Sequence, residues 1–424
     1  MNKYKNLFAT LGLTLALGII LGCAGKVVIT DGEAPVVVIT FPANGATVSG
    51  DTVLVTATAT DNKGVNRVEF WVDGVKSFTD NSSPYSFPWL ILVFNDSTDH
   101  IVQAIAYDAS GNVDTASISA TVRVASGFQF ISSLATVGVA YNLFVWGDYV
   151  AVAAQANGVE IYNIANPASP SYVSTYSTGG GLANGVFVAG SYMFIAYGQE
   201  GLHVVDISNP AFPVYKSSLI LPGFADVEDV FVSAGYAYLA AKNLGMFVVD
   251  LSNLDTLAQR GQYNLSGGIA YDVKVVDTLA FIAYGSGGME IVNVKDPDTA
   301  TFVGNFTPAG FGVVRRLDIV GNRAYLALQN SGLEIVNITN PAVPAQLGNY
   351  NNINVYITGA DLDGTTAYAA NRDDGVQIVD VTTPAAPVAG LFYNTEGQAN
   401  NLVFRNSFVF VADQAFLTIL RHIP

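Results

Sequence analysis

"GLHVVDISNPAFP" occupies residues 201–213, and close variants of it recur along the chain. The intervals between successive copies are 43, 44, 43, 44, 43 and 40 residues. A fixed period in this range, without a helical pattern, predicts a repeat protein built from β-strands. The copies open at Gly158, Gly201, Gly245, Gly288, Gly332, Gly375 and, in the seventh copy, Ala415.

Each repeat contains four short segments with the alternation of a β-strand. In the second copy they are "VFVAG", "YMFIAYG", "GLHVVDIS" and "PVYKSSLI". Four such strands make one propeller blade. The sequence therefore predicts an all-β, seven-bladed β-propeller over residues 127–424. Its first strands are expected to start at Leu143, Val186, Val230, Val273, Leu317, Ala360 and Leu402.

The seventh copy lacks a fourth strand, because the sequence reaches Pro424 just after the third. "FQFISSLATVG" at residues 128–138 matches the fourth strands of other copies, such as "PSYVSTYSTGG". We expect this N-terminal segment to be the outermost strand of the last blade. It would close the propeller and remove an exposed sheet edge.

The phrases "GLHVVDISNP", "GLEIVNITNP" and "GVQIVDVTTP" resemble the LVIVD-repeat family of exported bacterial and archaeal β-propellers. The likeness spans residues 140–420. It implies an exported propeller, and the family as a whole has no settled activity.

Residues 34–124 have the pattern of a separate domain. Alternating segments at Thr52–Thr60, Val65–Val72, His100–Tyr107 and Ser117–Val124 are joined by Asp, Asn or Gly turns, which predicts an antiparallel sandwich. The stretches "ITFPANGATVSG", "VEFWVDG" and "AIAYDASGNVDTAS" resemble bacterial Ig-like domains. That resemblance implies a spacer or adhesive module.

The N-terminus reads as a signal peptide over residues 1–22, with Lys3 and Lys5 before an apolar run too short to span a membrane. "ILGC" at residues 20–23 resembles the bacterial lipobox. It implies lipidation of Cys23, a tether over residues 23–33, and a membrane anchor in the cell envelope, at the outer membrane or cell surface. The alternative is an ordinary cleavage site beside a lone cysteine.

Composition excludes several functions. Loss of Lys3 and Lys5 with the signal peptide changes the net charge from −16 to −18, which disfavours nucleic-acid binding. The three histidines have no second ligand at zinc spacing, and no nucleophile elbow or haem attachment motif occurs. Enzymatic activity is therefore uncertain and not favoured.

An Asp or Asn stands near the end of the third strand in six repeats. It precedes a turn, where its side chain can accept a backbone hydrogen bond. Because the same turn is made in every blade, we assign these residues to structure rather than to ligand binding. They are Asn163, Asp206, Asp250, Asn293, Asn337 and Asp380.

Residues at the start of each first strand should surround the mouth of the central channel, on the face that carries the loops leading into these strands. They differ between repeats, as a binding site requires and architecture does not. A hydrated mouth without a ligand is the alternative. The candidate ligand-binding residues are Asn142, Glu228, Asp229, Asp272, Arg315, Arg316 and Asn401.

A calcium site is also considered in the Ig-like domain. The ends of two strands should bring Asp61 and Asn62 near Asp108 and Asn112, and oxygen ligands of this kind suit Ca²⁺. The alternative is a pair of ordinary Asx turns. No other cofactor is expected.

Three functions remain open. The first is an envelope lipoprotein that presents a propeller face to a protein or glycan partner. The second is a Ca²⁺-dependent hydrolase or lyase acting at the channel mouth, and the third is a purely architectural envelope component.

Overall fold

The computed structural model describes residues 31–49, 52–91, 98–122, 127–264, 268–310, 312–351 and 355–423. The predicted signal peptide and Cys23 lie outside these ranges. The described residues contain β-strands and one short 3-10 turn at Pro222–Phe224, and no α-helix. None of them forms a helix that is long and apolar enough to cross a membrane. The chain divides into two compact units between Ala125 and Ser126.

The first unit contains two sheets. One has the order β1 (Val36–Phe41), β3 (Thr52–Thr60), β6 (Tyr85–Leu90). The other has the order β2 (Ala46–Val48), β8 (Val113–Val122), β7 (Asp99–Asp108), β4 (Val65–Val72), β5 (Val75–Asp80). Apolar side chains from both sheets form one core that includes Phe70, Phe87 and Trp89.

Two details of this unit differ from the expected strands. The short strand β2 pairs with β8 in parallel, whereas an entirely antiparallel sandwich was the expectation. Strand β8 begins at Val113 rather than Ser117, because the turn after β7 is tight and Tyr107 already pairs with Val113.

The second unit begins with β9 (Gly127–Ala140) and contains six antiparallel sheets of four consecutive strands. The first is β10 (Asn142–Trp146), β11 (Tyr149–Ala153), β12 (Val159–Asn163), β13 (Ser171–Tyr176); the second is β14 (Gly185–Ala189), β15 (Tyr192–Ala196), β16 (Leu202–Asp206), β17 (Val214–Leu219). The third is β18 (Asp229–Ser233), β19 (Tyr236–Ala240), β20 (Met246–Asp250), β21 (Ala258–Tyr263); the fourth is β22 (Asp272–Val276), β23 (Leu279–Ala283), β24 (Met289–Asn293), β25 (Thr301–Phe306). The fifth is β26 (Arg316–Val320), β27 (Arg323–Ala327), β28 (Leu333–Asn337), β29 (Ala345–Tyr350); the sixth is β30 (Gly359–Asp363), β31 (Thr366–Ala370), β32 (Val376–Asp380), β33 (Val388–Tyr393).

The third strand of each of these sheets carries the recurring phrase. Its first four residues are nearly all buried, as in Leu202–Val205, because both faces of the strand pack against neighbouring sheets. The predicted turn after it is confirmed in all six sheets: the Asp or Asn side chain accepts the backbone N–H two residues later at 2.8–2.9 Å.

The opening glycine of the phrase is required by backbone conformation and by space. Gly332 has φ +81° in the left-handed region, and a Cβ there would collide with the carbonyl oxygen of Tyr350 on the neighbouring strand. Glycine thus permits the tight turn between the second and third strands.

A further sheet has the order β34 (Ala399–Arg405), β35 (Phe408–Ile423), β9. Strand β35 turns back on itself near Gln414, which has φ +54°, and the His422 amide donates to the Ser407 carbonyl at 2.9 Å. The Ile164 amide makes the equivalent bond to Asp148 in the first sheet. The long strand β35 therefore occupies the places of a second and a third strand.

Strand β9 lies where the other sheets have their fourth strand. Its pairing with β35 shifts register between Ile419 and Leu420, as the third and fourth strands of the other sheets do between Val204 and Val205. Ser132 Oγ also donates to the Pro167 carbonyl at 2.6 Å, as Ser174 does to that of Pro210.

Neighbouring sheets of the second unit enclose separate apolar clusters. Each pair of consecutive sheets, from the first and second to the sixth and seventh, encloses one such cluster. Another cluster joins the seventh sheet to the first, with Leu143 and Tyr162 on one side and Phe410 and Ile419 on the other. The first strands also contact each other in this cyclic order.

Candidate functional site

Residues of the seven first strands form layers around a central channel. Alternate residues of a strand point to the same face, so the first and third residues of each strand face the channel together. The residue before this first position forms the cap layer, with Asn401 taken as the first position of β34 because the register shifts between Ala399 and Asn401. The cap layer is Tyr141, Asn184, Glu228, Tyr271, Arg315, Thr358 and Asn400. The floor layer is Asn142, Gly185, Asp229, Asp272, Arg316, Gly359 and Asn401. The wall layer is Phe144, Phe187, Phe231, Lys274, Asp318, Asp361 and Val403.

The cap layer is held together by polar contacts. Arg315 Nη2 donates to the hydroxyl of Tyr141 at 3.1 Å, and this hydroxyl donates to Glu228 Oε2 at 3.4 Å. The Arg315 guanidinium also lies 4.0 Å from the centre of the Tyr271 ring. Burial, and then the charge of Glu228, raise the pKa of Tyr141, so its hydroxyl remains a donor at neutral pH. Only about 30 Å³ of free space remains among these side chains.

The floor layer contains a chain of hydrogen bonds across four sheets. Asn401 Nδ2 donates to Asn142 Oδ1 at 2.7 Å, and Asn142 Nδ2 donates to Asp229 Oδ1 at 3.1 Å. Asp229 is hydrogen-bonded in turn to Asp272, whose Oδ2 also accepts the Leu317 amide at 2.9 Å. Sequence candidates from four sheets are thus brought together.

Asp229 and Asp272 are a buried pair of carboxyl groups whose pKa values are shifted in opposite directions. Burial, and then the charge of Asp272, raise the pKa of Asp229 well above its usual range. Burial alone would also raise the pKa of Asp272, but Lys274, the bond from Asp229 and Arg316 lower it. A proton on Asp229 also supplies the donor that Asp272 Oδ1 otherwise lacks among the described residues.

Two glycines make room for this floor. A Cβ on Gly185 would collide with Asp229 Oδ1, and a Cβ on Gly359 would collide with Asn401 Oδ1. Glycine in the second and sixth sheets therefore permits the larger polar side chains of their neighbours to meet in the channel.

The wall layer has an apolar half and a charged half. Phe144, Phe187 and Phe231 form an arc, with ring centres 4.7 and 5.1 Å apart. Lys274 and Asp318 stand opposite, and Asp361 accepts the amide of Leu362 in its own strand and that of Phe404 in the neighbouring sheet. The sequence prediction missed this layer, although the two-residue period of a strand places it directly beside the floor residues.

The charged half consists of buried and half-buried ionisable groups. Burial alone would lower the pKa of Lys274, but the charges of Asp272, Asp229 and Asp318 raise it, so the ammonium stays charged. Burial, and then the charge of Asp318, raise the pKa of Asp361 to about 6. Burial raises the pKa of Asp318 as well.

Floor and wall layers line a cavity of about 180 Å³, which we call the cup. The sequence predicts an open mouth at the floor layer, but Asn142, Asp229 and Asp272 are only 5%, 4% and 2% exposed. Exposure increases beyond the wall, and Val276 and Val320 are each 41% exposed. The cup therefore opens on the face that carries the turns between first and second strands. The sequence predicts the opposite face, but there the side chains of the cap layer fill the channel.

The candidate calcium residues of the first unit also lie together. Carboxylate oxygens of Asp31, Asp61 and Asp108 lie within 4.8 Å of one another. Asp31 Oδ2 and Asp61 Oδ2 are inaccessible to solvent and have no hydrogen-bond partner. Burial alone would raise the pKa of Asp108, but hydrogen bonds from Asn112 and adjacent backbone amides lower it.

The two asparagines named with this site have another role. Asn112 Nδ2 donates to the carbonyl oxygens of Asp31 and Glu33 at 3.0 Å, and Asn62 Nδ2 donates to Glu33 Oε2 at 2.7 Å. They hold the end of the predicted tether against the sandwich. This is how Asp31, which the sequence analysis did not select, reaches Asp61 and Asp108.

Comparison with protein families identifies the second unit. Six stretches match the LVIVD repeat, and together they cover more than half of the chain: residues 137–178, 180–220, 225–264, 267–307, 311–352 and 362–395. The chain belongs to the LVIVD-repeat family. Residues 35–120 match a bacterial Ig domain. No curated protein sequence matches the chain.

Solved structures similar to this LVIVD-repeat chain include the WD40 β-propeller domain of Doa1, at 12% identity and TM-score 0.58, covering 69% of this chain and 97% of that one. The β-propeller domain of Myceliophteria thermophila Cps50 (Swd1) is 8% identical, with TM-score 0.55 and coverages of 69% and 99%. The computationally designed Ika8 protein is 9% identical, with TM-score 0.51 and coverages of 77% and 94%. At these identities the likeness shows the β-propeller fold alone.

Proposed function

We propose that this LVIVD-repeat protein is a non-catalytic binding protein of the cell envelope, and that its ligand enters the cup of the propeller. The observation that carries the proposal is the contrast between repeated positions. The turn after the third strand is made by Asp or Asn in six sheets, whereas the floor and wall positions range from Gly and Phe to Asp, Lys and Arg. The fold requires the repeated Asp and Asn residues of the turns. It does not require different residues at the channel positions, whereas a binding site does.

In this proposal the propeller has seven blades and is closed by β9. The apolar cluster between the seventh and first sheets, and the fourth-strand register of β9, support this arrangement. A rigid closed scaffold would keep the cup residues of different blades at fixed distances.

The proposal also includes export and a lipid anchor at Cys23, with the Ig-like unit as a spacer between the membrane and the propeller. The lipobox-like "ILGC" and the bacterial Ig domain match support it. The ligand would then be part of a protein or glycan partner at the outer membrane or cell surface.

The chemistry of the cup favours binding over Ca²⁺-dependent hydrolysis. Lys274 and Arg316 stand among the four carboxylates that line the cup. They act on Asp229 and Asp272, which leaves two carboxylates, Asp318 and Asp361, for a Ca²⁺ ion that takes six to eight oxygen ligands. A purely architectural role is disfavoured by the charge of Lys274, whose ammonium makes no hydrogen bond or ion pair with any described residue.

A binding screen of the full chain against envelope proteins and glycans tests this function. We expect a ligand whose affinity falls at least about tenfold in both Asp229→Ala and Arg316→Ala, which is roughly 1.4 kcal/mol. Asp296→Asn, in a peripheral turn where the amide oxygen can still accept the Asp298 amide, should bind like the wild type. A ligand whose binding survives both cup substitutions would rule out the cup as its site.

The second proposal is a calcium site at Asp31, Asp61 and Asp108 in the Ig-like unit. The two carboxylate oxygens that lack both solvent and a donor support it, because a bound cation would pair with them. Weak sites in extracellular modules have Kd values of roughly 10⁻⁴–10⁻³ M.

We therefore expect Ca²⁺ at about 10 mM to stabilise the Ig-like unit by roughly 2 kcal/mol, seen as a higher melting temperature of its transition in calorimetry. Asp61→Asn should abolish the shift, and Asp80→Asn, which lies outside the cluster, should retain it. An unchanged wild-type transition, with no heat on titration, would leave only ordinary Asx turns.

A further inference from the structure

The cup has an excess of negative charge. It is lined by Asp229, Asp272, Asp318 and Asp361 against Lys274 and Arg316. Four acidic groups thus face two cations, and burial with the charge of Asp272 raises the pKa of Asp229 well above its usual range. Lys274 is stabilised chiefly by the charges of Asp272 and Asp229 and less by that of Asp318, and Arg316 acts on Asp272. The excess negative charge therefore lies toward Asp318 and Asp361 in the wall layer.

Asp318 and Asp361 are affected by the charge of Lys274 only at a distance. Neither carboxylate has a described Lys, Arg or His nitrogen within 4.0 Å, the limit for an ion pair. Asp361 is held in place by the amides of Phe404 and Leu362, at 2.8 and 2.9 Å. These bonds fix the carboxylate without neutralising it, so a cationic ligand would meet an oriented partner.

The opposite half of the cup is suited to an apolar stem. The arc of Phe144, Phe187 and Phe231 presents contiguous ring surface. Ring faces are also weakly attractive to cations, as the position of Lys274 Nζ 5.5 Å from the Phe231 ring centre illustrates. Carboxylates on one side and rings on the other are complementary to an amphipathic cation.

The size of the cup limits the ligand to a small group. Its 180 Å³ is below the roughly 300–1,000 Å³ typical of pockets for drug-sized molecules. A carboxylate or phosphate ligand would be repelled by the acidic residues. A zwitterionic ligand would place its carboxylate near the ammonium of Lys274. That ammonium is already stabilised by the charges of Asp272, Asp229 and Asp318, so a zwitterion is disfavoured as well.

We propose that the cup binds a primary ammonium group carried on an unbranched apolar stem, with the ammonium between Asp318 and Asp361 and the stem against the phenylalanine arc. This inference rests on the proposed binding function and specifies its ligand chemistry. The lysine side chain of a partner protein and a free alkylamine share this chemistry.

Calorimetric titration of the full chain at pH 8 tests the inference. The probes are n-pentylamine and Nα-acetyl-lysine methylamide, with 1-pentanol and the Nε-acetylated lysine derivative as neutral counterparts and D-glucose as a sugar. We expect each amine to bind at least about tenfold more tightly than its neutral counterpart. Binding of both amines allows either source, whereas binding of pentylamine alone would assign the cup to free amines.

The affinity for amines should also depend on pH. The ammonium of the probes stays charged below pH 9, but Asp361, with a pKa of about 6, is about one-tenth ionised at pH 5. Asp318, Lys274, Arg316 and the Asp229–Asp272 pair also face the cup. Lys274 stays protonated, and protonation of Asp318 would act in the same direction as that of Asp361. We expect roughly tenfold weaker binding at pH 5 than at pH 8.

Matched variants separate a local effect from a general one. Asp361→Asn and Asp318→Asn should each weaken amine binding about tenfold or more, and Asp361→Asn should also flatten the pH dependence. Asp296→Asn, which removes a carboxylate from an exposed peripheral turn away from the cup, should keep the wild-type affinity. Because the Asp361 carboxylate accepts two amides, Asp318→Asn is the decisive variant if Asp361→Asn unfolds.

Equal binding of amine and alcohol, or amine binding unchanged in Asp318→Asn, would overturn the inference. Binding of D-glucose without the amines would also overturn it, while the cup would remain a binding site. The proposed function fails separately, if the ligand found in the screen binds Asp229→Ala and Arg316→Ala as it binds the wild type.

Discussion

A propeller chain that starts at residue 139 is expected to melt roughly 10 °C below one that starts at residue 126. The difference between the two chains is most of strand β9. Its half-buried Phe128 packs with the cluster between the sixth and seventh sheets, and Ile131 and Leu134 pack with the cluster between the seventh and first. At about 1–2 kcal/mol for each side chain, the lost burial is roughly 4 kcal/mol. Thermal unfolding of the two purified chains measures the difference.

Point substitutions in the full chain provide the matched control. Leu134→Ala removes a side chain that faces the apolar cluster, and it should lower the melting temperature of the propeller transition. Val137→Ala, in the same strand, truncates a side chain that is 79% exposed and should have almost no effect. Equal melting of the chains that start at residues 126 and 139 would contradict closure by β9.

The repeat and its turns could be predicted from the sequence because they depend on local chemistry. An Asx turn needs only one Asp or Asn and the amide two residues later, so its six occurrences follow from six short phrases. The pairing of β9 beside β35 was also anticipated, since the sequence of β9 matches the fourth strands of other repeats; closure of the propeller by β9 stays a prediction. The start of β8 was not, because the alternation near Val113 does not distinguish a strand from the end of a tight turn.

The cup was predicted only in part. The strand register identified the floor residues as neighbours around the channel. Counting two residues further along each first strand would also have identified Lys274, Asp318 and Asp361. The open end of the cup could not be predicted. It depends on Arg315 crossing to Tyr141 and stacking on Tyr271, contacts between different sheets that no local pattern reports. Asp31 was missed for a similar reason, since it lies in the segment assigned as a tether.

The two aspartates of the floor are expected to respond in opposite ways to the same substitution. Asp229→Asn should raise the melting temperature of the propeller transition at pH 8, whereas Asp272→Asn should lower it. In Asp229→Asn the amide can donate to Asp272 Oδ1 in place of the carboxyl proton. Its oxygen can still accept the bond from Asn142.

Asp272→Asn removes the charge that Lys274 and Arg316 act upon. It leaves two cations in the channel with one compensating carboxylate fewer. Removing one partner of a buried charge cluster costs about 3–5 kcal/mol. For a unit of this size we expect a fall of roughly 10 °C in the melting temperature.

The sign of the Asp229 effect follows from its raised pKa. Between the unfolded pKa of about 3.9 and the higher folded pKa, the folded wild type retains a proton that the unfolded chain releases, so stability falls as pH rises. Asp229→Asn has no such proton. Its advantage over the wild type should be absent at pH 4 and should grow as the pH is raised toward 8.

Calorimetry of the full chain at unit intervals between pH 4 and pH 8, following the propeller transition, tests this expectation. Asp296→Asn, in a peripheral turn, controls for the loss of one carboxylate anywhere in an acidic protein. Equal destabilisation by Asp229→Asn and Asp272→Asn would place the proton on neither residue preferentially. A larger loss in Asp229→Asn would place it on Asp272, and Asp229 would then be the carboxylate that Lys274 and Arg316 stabilise.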